Sequence, residues 1–204
     1  MPDKSICNIS TLDNEDNNLS IVNFVYETDF SSLSHIFFTT NYQLHIVTKG
    51  SALLNDGKAV RRLQTGSIFM SFPLIPYEIS DEDNFQYMYI TFNGSEAPFI
   101  TEKASLSPQS SVLNGYEGLI SFWKRSILMV NSVNLEMLSQ SVLLYTLSVI
   151  CADSALKATV PDTVIKMKSY IDNNFCNEGF SLEKLAEQAE TKHSIGIYYI
   201  AVNL

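Results

Sequence analysis

The chain has 204 residues, 46% of them hydrophobic and 17% charged, which is enough for a sizeable core and excludes disorder throughout. Thirteen Lys and Arg stand against 22 Asp and Glu, a net charge of −9, so nucleic-acid coating driven by bulk charge is excluded and any DNA contact must be local. Cys7, Cys151 and Cys176 are widely spaced and form no CxxC pair, so they indicate neither a disulfide framework nor a zinc knuckle and point to a reducing compartment.

Residues 1–20 read as a polar N-terminal segment. Asp3, Asp13, Glu15 and Asp16 surround a single lysine there, whereas a secretory signal needs a basic start and an apolar run. The longest apolar stretch, Met137 to Ala152, is interrupted by Ser139, Gln140, Ser141, Thr146 and Ser148 and falls short of the roughly 20 apolar residues of a membrane span. The expectation is a cytoplasmic protein without membrane association.

Residues 21–115 carry short β-branched and aromatic runs separated by turn residues: Ile21–Tyr26, His35–Thr40, Gln43–Thr48, Ser51–Leu54, Ala59–Leu63, Ser67–Phe72 and Phe85–Phe92. This pattern predicts antiparallel strands. In SALLNDGKAVRRL, Asn55, Asp56 and Gly57 are suited to the positive φ of a tight reversal. Alternation in the last run places Phe85, Tyr87 and Tyr89 on one face and Met88, Ile90 and Phe92 on the other, so both faces are covered, as in a sandwich or barrel. Glu78, Asp81, Glu82 and Asp83 read as a solvated inter-strand turn.

Residues 116–155 change to a helical period. Leu119, Trp123, Ile127 and Val130 mark one stripe, and Leu135, Leu138, Val142, Tyr145, Val149 and Ala152 a second, predicting two helices broken near Asn131–Asn134. The second stripe has the spacing of a helix–helix seam, and Leu143, Leu144, Leu147 and Ile150 widen it. Two readings stay open: a helix buried between its own sheet and a neighbouring helix, or one with a side left for a dimer interface.

Residues 156–161 read as a linker, with Pro161 suited to a helix start. Beyond it, Val164, Met167, Ile171 and Phe175 form a helical stripe. A turn at Asn177–Gly179 follows, then Ser181 as N-cap of SLEKLAEQAE.

These residues bring out a family likeness. YQLHIVTKGSALLNDGKAVRRLQTGSIFMSFPLIPYEI followed by FQYMYITFNG resembles the cupin-like sensor domain of AraC-type transcriptional regulators. VIKMKSYIDNNFCNEGFSLEKLAEQAE resembles the opening of that family's helix-turn-helix DNA-binding domain. The implied fold is α+β: an antiparallel cupin-like β-barrel (21–115), a helical pair for dimerisation (116–155), a linker (156–161) and an incomplete helix-turn-helix segment (162–204). The resemblance implies a ligand-sensing transcription regulator acting as a homodimer, with a small-molecule effector and operator DNA as partners.

The end of the chain departs from the family pattern. Only 44 residues run from Pro161 to Leu204, where the family has about a hundred by resemblance, so a truncated module is expected. The tail IGIYYIAVNL is poor in helix formers. Reading DNA needs base-contacting side chains on a helix in the major groove and cations on phosphates. Residues 161–204 contain Lys166, Lys168, Lys184 and Lys192, no arginine, and six acidic residues. Weak or lost DNA binding is expected, with Thr191, Lys192, His193 and Ser194 as the candidate DNA contacts.

Many cupins are metalloenzymes, but that chemistry needs imidazoles and a carboxylate converging on one ion. The chain has three histidines, His35, His45 and His193, and the position after Pro76 that the metal-binding relatives often fill with histidine is Tyr77. No nucleophile–base set or phosphate loop is evident. The expectation is therefore no metal, no cofactor, no catalytic residues and no enzyme. A small-molecule pocket remains, with Tyr42, His45, Tyr77, Tyr87 and Tyr89 as candidate ligand-binding residues, since each joins an apolar ring to a polar atom and suits sugar-like or aromatic ligands. Two alternatives stay open: a dimerising ligand-binding protein that does not read DNA, and a cupin-type enzyme.

Overall fold

The computed structural model describes residues 5–10, 18–29, 35–159 and 170–171. The chain divides into two units, Met1–Ile150 and Cys151–Leu204. In the first, the period-two runs become β1 (Ile6–Ile9), β2 (Ser20–Glu27), β3 (His35–Phe37), β4 (Tyr42–Asn55), β5 (Val60–Gln64), β6 (Ile68–Ser71), β7 (Tyr77–Asn93) and β8 (Val112–Leu113). Helices α1 (Ala97–Lys103) and α2 (Glu117–Met129) belong to the same unit. α3 spans Leu135–Thr159, its last nine residues falling in the second unit, where residues 170–171 are also helical.

All strand pairs are antiparallel in one sheet of order β1-β2-β7-β4-β6-β8, with β3 on β7 and β5 on β4. The expected barrel is not closed: the path ends at β1 and β8, and among the described residues no ladder joins them. The reason lies in β4 and β7. They pair from Tyr42↔Phe92 to Asn55↔Glu78, with register shifts between Val47 and Ala52, and such shifts bend a ladder. The outer ends pair with β2 and β6, the far ends with β3 and β5. The sheet therefore folds over upon itself, and Val47 and Tyr87 of one half share a buried cluster with Leu54 and Ile79 of the other.

Gly50 marks the bend. Its φ is +75°, and a β-carbon there would lie 2.0 Å from the Asp83 carbonyl oxygen. Asn84 also takes a positive φ, +48°, so both strands turn at one place. This corrects the reading of Glu78, Asp81, Glu82 and Asp83 as a turn between strands: they lie within β7, where Glu82 pairs with Arg62 at 3.2 Å and the Asp81 carboxylate accepts from the Phe85 amide at 3.2 Å. The two runs at Gln43–Thr48 and Ser51–Leu54 are likewise one strand, β4.

The reversal forms at the predicted place, as a four-residue loop between β4 and β5, but of Asn55, Asp56 and Gly57 only Gly57 takes a positive φ, +78°. Side-chain oxygens hold it: Asn55 accepts from the Gly57 amide at 3.0 Å, and Asp56 from the Lys58 and Ala59 amides at 2.9 Å.

The helices cover the outer face. Leu119, Trp123, Ser126 and Ile127 of α2 are buried, and Trp123 meets Phe24 of β2 edge to face at 5.5 Å. The Trp123 indole donates to Thr146 of α3 at 2.9 Å. Near the start of α3, Glu136 accepts from the Ile21 amide at 3.1 Å and Gln140 donates to the Leu19 carbonyl at 2.7 Å. The buried stripe of α3 is Leu135, Ser139, Val142, Leu143, Thr146, Leu147 and Ile150, rotated from the predicted seam, so that Tyr145 lies half exposed against Phe122. By length and composition Leu135–Ala155 is sufficient for a membrane span, a correction to the shorter apolar stretch read from the sequence. α3 also runs through residues 156–159 of the expected linker.

Gly50→Ala is expected to cost more than the ~1–2 kcal/mol of a left-handed L-residue, because its β-carbon meets backbone. Gly57→Ala, with nothing within 4 Å, is expected to cost only that. Urea denaturation of the two variants measures the difference.

Candidate functional site

The strand register lays the inner face out in rows, because residues directly opposite on neighbouring strands share a face. One row runs Cys7, Val25, Tyr89, His45, Phe69, Val112 across β1, β2, β7, β4, β6 and β8. The next, two residues along, runs Ile9, Asn23, Thr91, Gln43, Ser71. On the other side lie Glu27, Tyr87 and Val47. An aromatic band is thus flanked by a band of uncharged polar side chains.

His45 sits at the centre, 2% exposed. Its imidazole stacks on Phe69 with centroids 4.0 Å apart and planes 10° apart, and Tyr89, Tyr87 and Tyr77 surround it at 5.3, 5.9 and 6.2 Å. Nε2 lies 3.0 Å from the Ser71 hydroxyl, whereas Nδ1 has no hydrogen-bond partner among the described residues. Burial lowers the His45 pKa to about 3, since a charged ring would lose its hydration there. The ring is neutral at ordinary pH.

Tyr77 belongs to the far half of β7 and reaches His45 only because the sheet folds over. It stacks on Phe37 at 5.1 Å, and its hydroxyl donates to Gln43 Oε1 at 3.3 Å. The Gln43 amide in turn donates to Thr91 at 3.1 Å. Burial is the main cause that raises the Tyr77 and Tyr89 hydroxyls to about 12 and carries Tyr87 higher still. All three are protonated donors at physiological pH.

Four of the five candidate ligand residues, His45, Tyr77, Tyr87 and Tyr89, therefore meet in one cluster. The fifth does not. Tyr42 stands three residues from His45 on the same strand, an odd spacing that turns it to the opposite face, where it packs on Phe92 at 5.6 Å and Phe72 at 6.0 Å. Sequence reasoning passed over Asn23, Gln43, Ser71 and Thr91; Gln43 was within reach, since it precedes His45 by two. A small cleft, with about 20 Å³ of enclosed space, opens at the edge of the cluster, with Leu54, Asp56, Phe69, Ser71, Ile75 and Tyr77 in its walls.

Among the described residues no three His, Cys, Asp or Glu side chains converge on a point that could hold a metal ion. His35 lies on β3 opposite Ile79. The candidate DNA contacts Thr191, Lys192, His193 and Ser194, and the expected SLEKLAEQAE helix, fall outside the described residues.

Residues 35–132 match the AraC-like ligand binding domain. The match covers just under half of the chain, beginning at β3 and ending just past α2, so it takes in His45 and its tyrosines. In fold, the chain is similar to an apo ToxT variant from Vibrio cholerae, at 12% identity over 88% of this chain and 73% of that one, with a TM-score of 0.48. It is also similar to the AraC-like transcriptional activator CuxR, at 14% identity over 97% and 79%, TM-score 0.43. A cupin superfamily protein from Desulfitobacterium hafniense is similar at 13% identity over 43% and 76%, TM-score 0.32. No curated protein matches.

The His45 shift makes stability depend on pH. Unfolded, the ring binds a proton near pH 6.5; folded, it resists until about pH 3. The folded state is thus favoured above pH 6.5 and loses this contribution as the pH falls, by up to about 1.4 kcal/mol per unit. His45→Gln is expected to flatten the slope between those limits in urea titrations of the two proteins.

Proposed function

We propose that this chain is a ligand-responsive regulator of transcription, in which a small molecule enters the β-domain and the helices pass its presence on. The observation that carries this reading is the buried His45 cluster, a fully neutral group of rings and hydroxyls inside the segment that matches an AraC-like ligand binding domain. The residues that bind are His45, Tyr77, Tyr87 and Tyr89, with no catalytic role, no metal and no cofactor: the cluster offers stacking faces and hydrogen bonds rather than a nucleophile. A sugar-like or aromatic effector suits such a surface.

A route outward is built in. The Gly66 amide donates to Val47 at 3.0 Å and the Gly66 carbonyl accepts from the Tyr116 amide at 3.0 Å. The side chain of Glu117 fills the space where a β-carbon of Gly66 would stand. Val47 neighbours Tyr87 in the inner face, so a shift there bears directly on the start of α2. Trp123 then joins α2 to α3.

The homodimer of this reading forms through the outward side of α3, where Met137, Leu144 and Tyr145 are 76%, 45% and 51% exposed. Residues 161–204 would touch operator DNA through Thr191, Lys192, His193 and Ser194, only weakly or not at all, because the segment holds no arginine and more acids than lysines. The protein works in the cytoplasm. A specific observation, that acidic balance, also favours the second reading, a dimerising ligand-binding protein that does not read DNA.

A thermal-shift screen of small metabolites is expected to yield a compound that raises Tm by mass action and loses its effect in His45→Phe; a broad library that leaves Tm unmoved overturns the sensor reading. Sedimentation is expected to show a dimer that Tyr145→Glu dissociates, and a monomer at high concentration overturns that interface. Gel shifts are expected to give no sub-micromolar, competitor-resistant DNA complex.

A further inference from the structure

We propose that His45 is a positioning residue at the head of a directional hydrogen-bond chain, His45–Ser71–Tyr77–Gln43–Thr91, and that the two members in the cleft wall, Ser71 and Tyr77, recognise a hydroxyl of the effector. The inference rests on the sensor reading above and assigns the groups that touch the ligand: His45 takes part in binding through Ser71.

The cleft decides which polar groups are within reach. Its polar residues are Asp56, Ser71, Tyr77 and Ser111, set among apolar walls. Asp56 is committed to Arg61 and to the Lys58 and Ala59 amides. Ser71 and Tyr77 belong instead to one hydrogen-bonded series. His45, 2% exposed, is not in the walls but stands directly behind Ser71, with Nε2 at 3.0 Å from the hydroxyl. About 20 Å³ of enclosed space is room for one group the size of a water molecule, a hydroxyl but not a ring.

The direction of the series follows from counting protons, since each hydroxyl has one to give. The Tyr77 hydroxyl donates to Gln43 Oε1 at 3.3 Å, and the Gln43 amide donates to Thr91 at 3.1 Å. Burial is the main cause that raises the Tyr77 hydroxyl, and a hydrogen bond from the Ser71 side chain works against it, the effect of a donor on the phenolic oxygen. The Ser71 proton therefore points to Tyr77. Toward His45, Ser71 then offers only a lone pair, so the neutral ring carries its proton on Nε2. That tautomer leaves Nδ1, which has no partner among the described residues, as a bare acceptor rather than a bare N–H. Every link donates the same way, and links so aligned polarise one another. With their protons given along the chain, Ser71 and Tyr77 present lone pairs to the cleft, and the small group that meets them is a donor.

The test uses the full chain with cyclohexanol and cyclohexanone, probes of one shape of which only the alcohol donates. Nitrogen-15 NMR is expected to find the His45 proton on Nε2. Cyclohexanol is expected to bind at least about fivefold more tightly than cyclohexanone, shifting the Ser71 and Tyr77 signals. Ser71→Ala and His45→Phe are expected to remove the preference, whereas His45→Gln, whose amide supplies a donor to Ser71, keeps it; a merely structural His45 would not separate these variants, and circular dichroism checks the fold of each. A proton on Nδ1, equal or absent binding of the two probes, or a preference that survives His45→Phe overturns the chain and leaves the sensor standing. So does a metabolite from the thermal-shift screen whose effect survives Ser71→Ala. A library that moves nothing overturns the sensor reading, while the tautomer and the two probes still decide the chain.

Discussion

β7 passes so close over Gly50 that the Asp83 and Asn84 carbonyl oxygens occupy the space of any β-carbon there. That passage is the constraint on which the domain depends. A straight β4–β7 ladder of this length would be an extended ribbon, with Tyr77 far along the chain from Tyr89. Bent at Gly50 and Asn84, the same two strands supply both halves of the sheet, and Tyr77 arrives beside His45. The tyrosine hydroxyls, the neutral imidazole and the cleft all follow from a local backbone conformation that glycine adopts without strain.

Much of the fold could be read from period and punctuation. β2, β5 and β6 coincide with their apolar runs to within a residue or two, and the helix break at Asn131–Asn134 lies where Asn131 and Asn134 bond the loop backbone. Less legible were β1, whose ICNI lies in a segment that is polar on average, and α1, whose APFITEK is too short to show a helical period. The continuity of β4 through Lys49–Ser51 was hidden because Gly50 looks like a terminator when only local chemistry is considered. The partner strand decides otherwise. α3 illustrates a different limit: a helix apolar on nearly every side does not reveal which stripe is buried, and Ser139 and Thr146 turn out to face inward.

At the site, strand parity was the strongest guide. It placed Tyr87 and Tyr89 together, and their rings lie 5.9 Å apart. Applied from His45 along its own strand, the same rule separates Tyr42 and selects Gln43. The junction of β4 with β6, which brings Ser71 against His45, depends on a pairing between strands 26 residues apart, and single-chain periodicity carries no such information. The likeness to AraC-type sensors was carried by residues 42–79 and 85–94, and the match over residues 35–132 takes in both stretches.

The single tryptophan of the chain lies where the β-domain meets its helical cover, with Phe24 at its edge and its indole nitrogen on Thr146 of α3. One intrinsic fluorophore thus stands at the junction of the sheet with α2 and α3. Its emission wavelength responds to the wetness of that seam, so the unlabelled protein carries its own optical gauge of whether α2 and α3 stay docked.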